Sequence, residues 1–208
     1  KKKFYFKTSI NPPFTSYIGP WIHNSIKNDY EISSITNYLI NELPKFNYID
    51  LKLDYNSNNW LPFYWNGYLQ TDTYSIVIKN LIDNVSVIKK FNDTNKRMIK
   101  KAEKKKLKFC TNVAVDEFYK NHTYFLKKLG KKINYDFISF KILYELCKEN
   151  KCGSSFAIKD QNDNVISIAF IVWDHHTSYM ILNSTDTDHR NTGCTQFLIK
   201  NILNYLKN

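Results

Sequence analysis

The sequence has no run of about 18 apolar residues, the length a membrane-crossing helix needs. Its first residues, Lys1-Lys2-Lys3-Phe4-Tyr5-Phe6-Lys7, have neither the long apolar stretch nor the small-residue cleavage site of a secretory signal. A cytoplasmic protein without a transmembrane segment is therefore expected. The four cysteines include no C-x-x-C pair, and the one close pair, Cys147 and Cys152, has no histidine at metal-ligand spacing. No metal site is expected, and the thiols read as reduced and mostly buried. No zinc-finger or RNP-like motif is present, and no internal repeat shows as sequence identity. The N-x-[ST] matches at Asn84, Asn92, Asn121 and Asn183 carry no weight in a sequence so rich in asparagine.

What is present is a folding composition. With 43% hydrophobic and 16% aromatic residues, a chain of 208 residues can bury one or two cores. The net charge of +11 is concentrated: residues 96–108 carry +7 and residues 120–132 carry +5, which leaves the remainder near neutral. Basicity so localised points to an anionic partner such as a phosphate, a nucleotide, a nucleic acid or a membrane surface.

Breaker-rich pieces, Asn11-Pro12-Pro13 and Gly19-Pro20, precede a helix that starts at Tyr30 or Ser33 and runs until Pro44, with Ile35, Tyr38, Leu39 and Leu43 at three- and four-residue spacing. Period-two alternation predicts a strand over residues 48–54, and Tyr74-Ser75-Ile76-Val77-Ile78 reads as another. A helix is expected to open at Asp83 or Asn84 and the basic helix near Thr94, followed by helices over residues 116–129 and 139–149. Strands at 156–159 and 165–173 pair across the glycine-free turn 160–164, a third strand covers 178–183, and a helix covers 195–206. The order predicts a mixed α/β layer architecture of the α+β kind.

The segment Arg190-Asn191-Thr192-Gly193-Cys194-Thr195 lies between an apolar strand and an amphipathic helix. A glycine turn opening a helix presents unpaired N–H groups and the positive end of the helix dipole, which suits a pyrophosphate, and Arg190 adds a charged donor. The segment resembles the Q/R-x-x-G-x-G/A pyrophosphate loop that the GNAT acyltransferase superfamily carries between its fourth strand and the following helix, with Thr195 where that family prefers Gly or Ala. Trp65-Asn66-Gly67-Tyr68, Thr73-Tyr74, and Arg97-Met98-Ile99-Lys100-Lys101-Ala102-Glu103-Lys104 resemble the W-x-G-Y and T-Y features and, with one residue fewer between Arg97 and Ile99, the R-x-x-I-x-K-A-x-K feature of FemAB-like tandem-GNAT proteins, so that the likeness spans roughly residues 10–206.

The resemblance implies mostly antiparallel sheets flanked by helices. It implies a degenerate GNAT-like half over residues 1–95, a second half over 96–208 that binds the acyl donor, and an acceptor in the cleft between them. It also implies an acyl-CoA such as acetyl-CoA as co-substrate, with no permanently bound cofactor. Arg190 to Thr195 would hold its pyrophosphate, Leu182 and Asn183 would line the pantetheine slot, and Trp65, Tyr68, Arg97 and Lys100 would meet the amine acceptor, an amino-sugar nucleotide or another cell-envelope precursor. Because the sequence opens without Met and stops inside a helical pattern, it also reads as a fragment lacking the later GNAT elements.

Transfer to an amine requires a base to deprotonate the ammonium and a donor to stabilise the tetrahedral oxyanion. The strand ends offer two candidates, His175, whose ordinary pKa of about 6.5 suits the task, and Asp186. Each also fits a plain exposed turn, as the lysines fit a solvated helix face and Trp65 and Tyr68 fit a core. Two other functions compete with the acyl-CoA enzyme. One is a FemAB-type transferase whose basic belt contacts aminoacyl-tRNA. The other is a non-catalytic basic module that binds nucleic acid.

Overall fold

The computed structural model describes residues 5–23, 25–54, 57, 59–79, 81 and 84–207. The fold is mixed α+β, and the chain divides into two compact units, Lys1–Ile76 and Val77–Asn208.

In the first unit, β1 (Thr8–Ile10) and β2 (Tyr48–Asp50) pair in parallel, Ser9 opposite Ile49. The strand expected over 48–54 is therefore shorter, continued only by an isolated bridge between Ile18 and Leu53. Helix α1 (Asp29–Glu42) starts where the Asn28 side chain accepts the Tyr30 N–H at 2.9 Å, and ends at Leu43, since a residue before proline avoids the helical region. The short α2 (Leu61–Trp65) buries Phe63 and is tied to α1 by Asn59 to Ser33 and Asn66 to Asn37 hydrogen bonds. Residues 74–78 form no strand: they are irregular, with Tyr74 and Ile76 almost fully exposed. β-branched and aromatic content favours a strand only where a neighbouring strand can take its backbone hydrogen bonds.

The second unit contains α3 (Asn84–Lys89), α4 (Asp93–Lys104), β3 (Lys108–Thr111), α5 (Val115–Lys128), α6 (Phe137–Glu149), β4 (Gly153–Lys159), β5 (Val165–Trp173), β6 (Ser178–Thr185), a 3-10 turn (Thr187–Thr192) and α7 (Cys194–Tyr205). The strands form one antiparallel sheet in the order β3-β4-β5-β6. β3 was not legible as a strand, because four residues beside a lysine run show little alternation.

The turn between β4 and β5 manages without glycine. The Asp160 carboxylate accepts the N–H groups of Asn162 and Asn164 at 2.8 and 2.9 Å, and Asp163 takes the left-handed conformation that Asp tolerates better than most residues.

β5 is apolar except for Ser167, because both its faces are covered. On one face Phe156, Ile158, Ala169 and Ile171 pack with Cys194, Leu198 and Ile202 of α7. On the other, Phe170 meets Phe118 of α5 and Phe140 of α6 edge to face, with ring centroids 6.0 and 5.5 Å away. α4 begins at an Asn92 cap that accepts the Asn95 N–H at 2.8 Å, and buries Ile99 and Ala102 while Lys100, Lys101 and Lys104 stay exposed. No helix among the described residues is long and apolar enough to cross a membrane.

Candidate functional site

β6 is an edge strand: among the described residues no strand pairs with its outer side. It runs through the 3-10 turn directly into α7, and Gly193, at φ 84°, joins the two. Glycine is required here twice over. The left-handed conformation disfavours a side chain, and a Cβ at this position would lie 2.0 Å from the Met98 carbonyl oxygen of α4.

The turn is internally braced. Thr192 donates from its hydroxyl to the His189 carbonyl at 2.6 Å and accepts the Cys194 N–H at 3.3 Å, so Thr192 acts as a local cap. The next two N–H groups of α7, on Thr195 and Gln196, find no acceptor among the described residues, and both side chains are half-buried. Thr195, the departure from the pyrophosphate-loop pattern, turns its hydroxyl to the sheet: it lies 2.9 Å from the Thr185 hydroxyl, itself 2.8 Å from that of Ser167. This hydroxyl ladder ties the start of α7 to β6 and β5.

Arg190 and Asn191 are exposed on the turn, Thr192, Gly193 and Cys194 are buried, and on β6 Leu182 is half-buried while Asn183 is exposed. α4, whose backbone abuts Gly193, brings a cationic surface beside the turn, with Arg97, Lys100, Lys101 and Lys104 all exposed.

The two proposed bases are not neighbours. β5 and β6 are antiparallel, with Trp173 opposite Ser178 and Ser167 opposite Thr185, so His175 sits at one end of β6 and Asp186 at the other. At about 3.3 Å per residue they stand roughly 20 Å or more apart along the strand. His175 is exposed in a turn held by Asp174, whose carboxylate accepts the His176 and Thr177 N–H groups at 2.7 Å; those bonds lower its pKa.

Asp186 is buried, caps the 3-10 turn and is held by Lys128 of α5, which reaches Asp186 Oδ1 at 2.5 Å and Asp188 Oδ2 at 2.7 Å. Its hydrogen bonds to Asp186 and then Asp188 raise the Lys128 pKa. His189 Nδ1 lies 3.7 Å from Asp186 Oδ2.

Trp65 and Tyr68 belong to the first unit, Arg97 and Lys100 to the second. Trp65 is exposed at the end of α2, whereas Tyr68 packs edge to face on Phe63 with centroids 5.6 Å apart. Arg97 rests near its own helix turn, 3.4 Å from the Thr94 hydroxyl.

No protein-family model matches the sequence, and no curated protein shows significant similarity to it.

One polar pair was not singled out in the sequence. His122 of α5 is buried between the rings of Phe118 and Tyr135, and its Nδ1 lies 2.9 Å from Ser184 Oγ on β6. Burial lowers its pKa to about 4. Unfolding frees the imidazole to take a proton near its ordinary value of about 6.5, so the unfolded chain binds more protons between those values and stability falls as pH drops through them. The expected loss from pH 7 to pH 4 attributable to His122 is about 3 kcal/mol. Urea denaturation across that range should show this slope in the natural protein and a flatter one in His122→Gln; equal slopes would mean that His122 is solvated in the folded state.

Proposed function

We propose that the second unit binds the donor of a GNAT-like N-acyltransferase, which moves an acyl group from acyl-CoA to an amine, and that β6 with the Gly193 turn is where the donor lies. The observation carrying this reading is the junction itself, an open sheet edge leading into a helix start with two unengaged N–H groups and Arg190 beside it. β3 adds support, because it makes β6 the fourth strand of its sheet, the place the pyrophosphate loop has in the superfamily that the sequence resembles.

Each part of the donor meets a suited group. The pyrophosphate accepts the Thr195 and Gln196 N–H groups at the positive end of α7 and pairs with Arg190. The amides of the pantetheine arm pair with the free edge of β6 around Leu182 and Asn183, as an added strand would. An arm laid along β6 from the turn directs its thioester toward the end where His175 stands and away from Asp186. His175 is therefore the better base of the two for the acceptor ammonium, with Asp186 and Lys128 bracing the turn. The exposed cations of α4 add an attractive field for the donor phosphates.

Calorimetric titration of acetyl-CoA and CoA should give micromolar binding that Arg190→Ala weakens by about tenfold, while Lys105→Ala, on the solvated end of α4, changes it little. Equal effects of the two substitutions would remove the turn from the donor site.

The exposed lysines of α4 favour one second reading, a surface for tRNA or another nucleic acid. In that case neither acetyl-CoA nor CoA binds, and RNA binding weakens steeply with salt.

A further inference from the structure

The C-terminal end of α6 closes in a Schellman turn: Lys151 adopts the left-handed conformation at φ 53°, and the Cys152 N–H donates to the Cys147 carbonyl at 3.0 Å. In this motif the side chains of those two positions meet, usually as an apolar contact. Here both are cysteine, and both are thiols in the structure. Cys147 is buried and Cys152 half-buried.

The Cys147 side chain is closely held. A Cβ on Gly153 would lie 2.9 Å from Cys147 Cβ and 3.2 Å from its Sγ, so the glycine leaves room for the sulfur beneath the start of β4. Burial, and then the nearness of Cys152, pushes the Cys147 thiol up to about 12, which keeps it protonated at neutral pH. Cys152 is thus the sulfur that meets an oxidant first.

We propose that Cys147 and Cys152 form a reversible redox pair that closes to a disulfide by exchange with a low-molecular-weight disulfide, locking the end of α6 to the start of β4. The Cys152 thiolate, having given its proton to solvent, attacks one sulfur of the small disulfide. A protein–small-molecule mixed disulfide forms and one small thiolate leaves. Cys147 then loses its proton and attacks the Cys152 sulfur, forming the protein disulfide and releasing the second small thiol. The two protein thiols are oxidised by two electrons, and the small disulfide is reduced to two thiols. The turn supplies the short backbone separation that a disulfide needs.

The lock reaches the sheet through Trp173. The Cys152 carbonyl accepts the Trp173 N–H at 2.8 Å, and the Lys151 carbonyl accepts its indole N–H at 3.0 Å. Oxidation therefore braces the α6–β4 corner where β5 ends.

The test equilibrates the full chain with reduced and oxidised glutathione over a range of ratios, alkylates the remaining thiols under denaturing conditions, and maps peptides by mass spectrometry. The expected result is a peptide linked through Cys147 and Cys152 that has lost two hydrogens and that dithiothreitol reverses, with Cys110 and Cys194 still alkylated. The oxidised protein should also melt at a higher temperature than the reduced protein, and Cys152→Ser should remove that difference. A stable glutathione adduct on Cys152 with Cys147 free, two free thiols at every ratio, or a linkage through Cys110 or Cys194 would each overturn the proposal.

Discussion

Gly193→Ala should lower the stability of the second unit by about 2–5 kcal/mol, the sum of a left-handed backbone penalty of about 1–2 kcal/mol and an overpacking cost of about 1–3 kcal/mol. For a unit of this size that corresponds to a fall of roughly 10 °C in melting temperature. The second contribution exists because the new methyl would sit 2.0 Å from the Met98 carbonyl oxygen and 2.7 Å from its carbon, both backbone atoms that cannot rotate away. Gly130 separates the two contributions. It too is left-handed, at φ 67°, but a Cβ there meets nothing within 4 Å. Gly130→Ala should therefore cost only the backbone penalty, about 1–2 kcal/mol. Thermal melts of the two variants side by side decide the matter. If they fall equally, α4 does not approach the start of α7 as closely as the structure has it. The proposed donor site depends on the same contact, since a displaced α4 moves both the turn and the cations flanking it.

Phe118→Ala should cost about 3–5 kcal/mol, the range for emptying a fully buried aromatic site. Phe118 has no exposed surface, and its ring lies 5.1 Å from Phe140, 6.0 Å from Phe170 and 5.9 Å from His122, measured between centroids. It is the side chain through which α5, α6 and β5 share one core, so neighbouring rings can fill the space it leaves only by giving up contacts of their own. Total stabilities of folded domains are about 5–15 kcal/mol, and the variant should therefore be largely unfolded at moderate urea. Lys120→Ala, on the exposed face of the same helix, should stay within about 0.5 kcal/mol of the natural protein. A small effect of Phe118→Ala would mean that the α5–α6 pair is not packed on the sheet through this ring.

His122 connects that core to β6. Because its neutral form is the one the core accepts, acid should weaken the face of the sheet that carries Ser184 before the α7 face, where the core is apolar. Hydrogen exchange at pH 5 would show this as faster exchange in α5 than in α7.

The amphipathic helices were legible because their apolar residues repeat at helical spacing and their ends carry explicit signals. Asn28, Asn92 and Asp136 cap three of them, and Pro44 follows the first. α2 escaped notice, since five residues do not complete two helical turns. β3 was hidden by the adjoining lysines, and residues 74–78 look like a strand in composition although no partner strand among the described residues takes their backbone groups. Strand formation depends on a neighbour from elsewhere in the chain, which local pattern does not encode.

The candidate site divides in the same way. By itself the sequence determined that a glycine turn with an adjacent arginine opens the last helix, that the charge is concentrated in two basic stretches, and that the unit is mixed α+β. Tertiary structure alone decided that Gly193 abuts Met98, that Lys128 holds Asp186, that His122 reaches Ser184 across 62 positions, and that His175 and Asp186 stand at opposite ends of β6. The physical reason is one of range. Backbone conformation and amphipathic period are properties of a few consecutive residues, whereas close approach, ion pairing and the alternation of strand direction arise only when distant segments pack together.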